Sequence, residues 1–192
     1  MYDQKKVWLI KKKREADAVD IRTLVQPSFE KPLNPFELAA SLGIDAITPY
    51  EIDNTDQNCI SNLCNHYSRE WDAFTLAAFE ICKIIIVYNP EKAPKRINAT
   101  IMEEISHILL GHEPTQIAEQ NGAFFRDYNS AQEEEAKYVG WAALLPRESL
   151  KWAISKKLTL EEISDHFGAS QKMIEYRLNR TNLKKAHVRC LN

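Results

Sequence analysis

The chain lacks any apolar run near the roughly 20 residues that a membrane-spanning helix needs. Its opening stretch, MYDQKKVWLIKKKRE, lacks the apolar h-region of a secretory signal. Both absences point to a cytoplasmic protein with no membrane partner. Internal repeats and low-complexity segments are also missing. The four cysteines, Cys59, Cys64, Cys82 and Cys190, are then expected to be reduced thiols. Cys59 and Cys64 have no second cysteine pair nearby, so a structural zinc site there is not expected. A large net charge is missing too. At −2 the whole molecule is not an electrostatic nucleic-acid binder.

What is present is an ordinary globular balance, 44% hydrophobic and 27% charged over 192 residues. That length suits one domain with a small appendage. Charge is unevenly placed. From Gln171 to Asn192 there are six basic residues (Lys172, Arg177, Arg180, Lys184, Lys185, Arg189) against Glu175 alone, a local net of +5. Such a segment is either a solvated face or a contact for an anionic partner.

Residues 4–24 mix Lys and Arg with Val7, Trp8, Ile10, Ala16, Val19 and Leu24, the pattern of an amphipathic helix. NPFELAASLG punctuates a second helix: Asn34 as N-cap, Pro35 at the first position, Glu37 for a capping box and Gly43 as the stop. Strands are expected at Asp72–Phe79 and at KIIIVYN, Lys83–Asn89, where a β-branched run favours a buried pleat. A helix from about Ile97 to Gly111 follows, its apolar face carried by Ile101, Ile105, Ile108 and Leu109. Two more helices run from Ser130 to before Pro146 and from Pro146 to about Lys157. TLEEISDHFGASQKMIEYRLNR, Thr159–Arg180, reads as two short helices around a glycine turn, similar to a helix-turn-helix. Met173 and Ile174 should pack against Ile163 and Phe167, with the basic residues outward. This gives two expected units, 1–157 and 158–192.

The chemistry centres on Glu103-Glu104-Ile105-Ser106-His107. In H-E-x-x-H, two histidines one helical turn apart can hold one zinc ion, and the Glu activates the metal-bound water. Here the first ligand position holds Glu103, still a metal-competent carboxylate. A third ligand on a following helix could come from the Glu133-Glu134-Glu135 run. A set of Glu103, His107 and Glu133 is harder than two histidines and a Glu, which brings manganese or ferrous iron in beside zinc. Glu104 and His107 also read as Glu-x-x-His, the spacing of di-metal carboxylate bundles, but His66, His112, His166 and His187 have no Glu three residues before them. Spacing alone equally allows solvated carboxylates at 103 and 104, a hydrogen-bonded His107, a capping-box Glu133 after Ser130, and a helix end at Gly111 and His112.

Taken in order, these segments resemble the ImmA/IrrE family of bacterial metallopeptidases. The resemblance runs from about Pro32 to Thr181. PLNPFELAASLGIDAI is similar to the family's opening segment. Arg96 and TIMEEISHILLGH resemble an Arg before H-E-L-x-H-x-L-L-G-H, and EEEAKYVGWAALLP resembles E-x-E-A-(N/D)-x-F-A-x-x-L-L-x-P. The sequence departs from that pattern at Glu103, usually His, and at Lys137, usually Asn or Asp. The resemblance implies an α+β, mostly helical, gluzincin-like fold with a short sheet beside the active helix and a helix-turn-helix-like C-terminal unit. It implies one divalent metal, zinc first with manganese or iron as alternatives, on Glu103, His107 and Glu133, with Glu104 as general base. It implies a regulator that cleaves or inactivates helix-turn-helix repressors, of the kind found in mobile elements, phages or stress regulons. The rival expectation is an impaired peptidase that acts by binding protein, or by binding DNA through the basic C-terminal unit.

Overall fold

The computed structural model describes residues 4–52, 56–78, 83–112, 117–120, 123–126 and 129–191. Helix α1 spans Gln4–Thr23 and α2 spans Pro35–Ser41. Strand β1 (Ile44–Ile47) leads into a 3-10 turn at Pro49–Glu51. Helix α3 (Gln57–Ser61) continues as one wide turn at Asn62–His66. Strands β2 (Ala73–Ala78) and β3 (Lys83–Tyr88) precede α4 (Pro94–Leu109). A small hairpin, β4 (Ile117–Gln120) and β5 (Ala123–Arg126), separates α4 from α5 (Ser130–Leu144). The chain ends with α6 (Arg147–Ser155), α7 (Leu160–Phe167), α8 (Gln171–Arg180) and α9 (Lys184–Leu191). This is the mostly helical α+β architecture expected.

The β-branched run of β3 sits in the middle of the main sheet, in the order β1-β3-β2. Parallel β1 and antiparallel β2 leave Ile86 and Val87 fully buried. Thr75 of β2 lies opposite Ile86, which sets its side chain toward the α4 side of the sheet. Strand β1, α3, the β4–β5 hairpin and α9 were not expected from sequence. The expected strand end at Phe79 and the thiol of Cys82 lie outside the described residues.

Capping followed the sequence at most ends. Asn34 accepts from the Phe36 N–H, while Glu37 accepts from the Asn34 side chain rather than from its backbone. Thr159 and Glu162 form a reciprocal capping box, Gly168 stops α7 at φ +61°, and Ser170 caps α8. Ile163, Phe167, Met173 and Ile174 are buried as expected. They belong to one core with Ile101, Ile105, Val139 and Leu144.

One basic residue departs from the outward arrangement. Lys172, Arg180, Lys184, Lys185 and Arg189 are exposed, but Arg177 is 0% exposed. The cause is a charge partner on the first helix. Both terminal nitrogens of Arg177 donate to Glu15 at 2.9 Å, and its Nε donates to the Leu145 carbonyl at 3.0 Å. A second buried arginine, Arg22, donates to the carbonyls of Ala143 (3.1 Å), Ser28 (2.8 Å) and Lys31. The last four carbonyls of a helix have no partner within it. The C-terminal end of α5 is therefore satisfied by arginines from α1 and α8. Burial lowers the Arg22 pKa to about 10, still charged at neutral pH.

Burial works against the Glu15 charge, but Arg177 and the Tyr138 hydroxyl hold its carboxyl below the usual range. A carboxyl with a lowered folded pKa stabilises the fold above its unfolded value, roughly 4.3, and that stability is lost as pH falls through the folded value. Glu15→Gln leaves Arg177 buried without its counter-charge, so the variant is expected to lose about 3 kcal/mol near neutral pH. Its thermal midpoint should also fall less than that of the wild type on acidification, which calorimetric scans at a series of pH values would show.

Candidate metallopeptidase-like site

The site is built on the contact between α4 and α5. Gly140 lies against the α4 backbone: a Cβ there would sit 2.7 Å from the Met102 carbonyl oxygen and 2.9 Å from its carbon. Only a residue without a side chain lets the helices approach this closely. The two run antiparallel, so Glu103 lies beside the Gly140–Trp141 turn while His107 lies beside the start of α5.

Helix α4 begins at Pro94, a residue suited to the first helical position because its missing N–H has no partner there in any case. It ends in a Schellman arrangement. Gly111 takes φ +66°, its N–H donates to Ile108, and the His112 N–H donates to the His107 carbonyl at 3.0 Å. This reversal carries the His112 ring back over His107. Their centroids are 5.0 Å apart at 76°, and their Nδ1 atoms lie 3.1 Å apart. One of those nitrogens must carry the proton and the other accept it.

Helix α5 meets this pair from the other side. His107 Nε2 is 3.6 Å from Glu133 Oε2, and His112 Nε2 is 3.5 Å from Glu135 Oε2. Arg14 of α1 donates to Glu135 at 3.1 Å. Burial opposes ionisation of Glu135, yet Arg14 and His112 hold its carboxyl below the usual range. Glu133 is not a capping-box acid. The N-cap of α5 is Asn129, whose side chain accepts from Ala131 and Gln132, which leaves Glu133 to face His107.

The two acidic residues of α4 diverge. Glu104 is 8% exposed, and its Oε2 accepts the Thr75 hydroxyl at 2.6 Å, tying the helix to β2. Glu103 turns to α5, where its Oε1 accepts the Trp141 indole N–H at 2.7 Å. Burial raises its carboxyl, an effect opposed by that hydrogen bond and by the charges of Arg96 and Lys137. The Arg96 guanidinium itself grips Asp72 at 3.2 and 2.6 Å. Its side-chain hydrogen bond holds Asp72 below the ordinary range.

Of the three expected ligands, His107 and Glu133 come together, and Glu103 is directed to Trp141. Among the described residues, no three His, Cys, Asp or Glu side chains converge as a metal cluster. The donor set as arranged therefore fits a metal ion at two positions and not at the third. Sequence reasoning set His112 aside as a ligand and read it as a helix end, chose Glu133 over Glu135 in the acidic run, and passed over Thr75 and Trp141. For His112 the signal was the Gly111-His112 pair, whose glycine forces the return turn. Thr75 and Trp141 carried no local signal.

These elements lie within the match to a peptidase family described as the IrrE N-terminal-like domain, Peptidase M78, whose profile matches residues 63–179. The chain belongs to this family. The match takes in β2, β3, α4 and α5, and extends through α7 to nearly the end of α8. This IrrE-like chain is accordingly metallopeptidase-like in kind. No curated protein and no solved structure matches it. Among the described residues no helix is long and apolar enough to cross a membrane.

The helix contact at Gly140 gives the site its spacing. Gly140→Ala should cost about 1–3 kcal/mol, the usual penalty for overpacking a filled interior. Urea unfolding would measure it, and loss of stability within a few tenths of zero would show that the helices do not need this contact.

Proposed function

We propose that this IrrE-like chain inactivates a helix-turn-helix transcriptional repressor, engaging it at the face where α4, α5 and β2 meet. The observation that carries the proposal is the pairing of His107 with Glu133 across α4 and α5, with Glu104, one turn before His107 on α4, accepting from Thr75 of the edge strand. Glu104 is the proton acceptor in this reading. Thr75 fixes one of its oxygens, and its neighbour one turn on, His107, faces Glu133. Zinc, or manganese or iron in its place, would be held by His107 and Glu133. It would supply a polarised carbonyl and an acidified water.

A second reading is favoured by the hydrogen bond between Trp141 and Glu103: the chain holds its partner without cutting it. The exposed Lys172, Lys184, Lys185 and Arg189 add a DNA-contacting option, in which they would grip phosphates and set position rather than sequence.

Co-expression with helix-turn-helix repressors, followed by intact-mass analysis, tests the proposal. Cleavage by the wild type that falls about 10²–10⁴-fold in Glu104→Gln supports the catalytic reading. An intact repressor that co-purifies with both forms supports capture. Equal cleavage by both removes Glu104 from the chemistry, and the absence of both cleavage and capture overturns the proposal. For the DNA option, anisotropy with duplex DNA should show affinity falling steeply with salt as counterions are released. Salt-independent or negligible binding at low ionic strength would exclude it.

A further inference from the structure

Glu103 stands at a ligand position and makes its contact elsewhere. Trp141, which donates to it, lies eight residues beyond Glu133 on α5, about 12 Å of helix rise. His107, which faces Glu133, lies only four residues from Glu103 on α4, about 6 Å. The hydrogen bond of Glu103 is therefore made two turns of α5 away from the His107–Glu133 pair.

Trp141 has little freedom to release it. The indole is 6% exposed and meets Tyr176 of α8 edge-on, with centroids 5.2 Å apart at 84°. The Lys137 ammonium lies 4.7 Å over the same ring, a cation–π distance. Arg180 lies 5.0 Å over Tyr176 and pairs with Glu134 of α5 at 3.7 Å. Glu103, Trp141 and Tyr176 thus join α4, α5 and α8 in one chain of contacts. A half-buried carboxylate needs hydrogen-bond donors and positive charge. Glu103 obtains them from the Trp141 N–H and from the flanking Arg96 and Lys137.

We propose that Glu103 is a clamp carboxylate joining α4 to α5 and α8, through its hydrogen bond from Trp141 and that ring's edge-on contact with Tyr176, and is not a metal ligand. The inference takes from the proposed function only the location of the His107–Glu133 pair, and it holds whether the chain cuts its partner or captures it. It gives Lys137 a role as well. A cation at that position suits a carboxylate at 103, as it would not suit a metal-bound histidine.

Two measurements on the full chain test it. The first is competition for zinc against a chromophoric chelator. Glu103→Gln should match the wild type within about threefold, since loss of even an outer partner of a metal ligand typically costs 10–100-fold; an equal lack of binding in both satisfies the same expectation. A loss of tenfold or more in Glu103→Gln overturns the proposal. The second is a stability cycle with Glu103→Ala, Trp141→Phe and the double variant. Partners in contact are non-additive, so the melting temperature of the double variant should fall by clearly less than the sum of the two single drops. Additive drops also overturn it. Failure of the proposed function is read separately, from the repressor co-expression.

Discussion

The close approach of α4 and α5 at Gly140 is the constraint on which the site depends. With the Met102 carbonyl in contact with that glycine, the distance between the helices is set by backbone rather than by side chains. Backbone contacts deform little, because filled interiors have almost no free volume to absorb a shift. His107 can then meet Glu133, and Trp141 can reach Glu103, only because both pairs span the same narrow gap. The two buried arginines hold the far end of this arrangement. Arg22 and Arg177 satisfy carbonyls at the C-terminal end of α5, which would otherwise be buried without partners.

The same contacts tie the C-terminal helices to the site. Tyr176 packs on Trp141, Arg180 pairs with Glu134, and Lys95 of α4 donates to Ser164 and Asp165 of α7 at 2.7 and 2.6 Å. Asn98 donates to the Gly168 carbonyl in the turn between α7 and α8. Ile163, Phe167, Met173, Ile174 and Leu178 share the core with α4 and α5. Residues after 157 are thus packed against the site at several points.

The site was legible where its signal was local. The i, i+4 spacing of Glu103 and His107, and the acidic start of α5, can be read without knowing the fold. So can the capping residues of α2, α7 and α8. The Schellman turn that returns His112 to His107 was within reach, since Gly111 is the residue that such a turn demands. The direction taken by Glu103 was not legible. Two carboxylates in adjacent positions of a helix look alike in sequence; one found a threonine on a strand and the other an indole on a neighbouring helix. Arg177 was misread for the same reason. Within a basic segment it is one charge among six, and its partner Glu15 lies 162 residues away.

The sequence by itself determined the elements whose causes lie within a few residues. These are the helix of Ile101, Ile105 and Ile108, the strand of Ile84 to Val87, the helix stops at glycines, and the presence of peptidase-type residues at helical spacing. Only the tertiary structure decided which of those residues face one another. Hydrogen bonds such as Trp141 to Glu103, Thr75 to Glu104 and Arg177 to Glu15 join positions far apart in the chain. Each forms because a polar group taken out of water must find a partner among whatever the packed core brings within about 3 Å. That choice depends on interhelical distance and sheet register, which are properties of the assembled core and not of any segment alone.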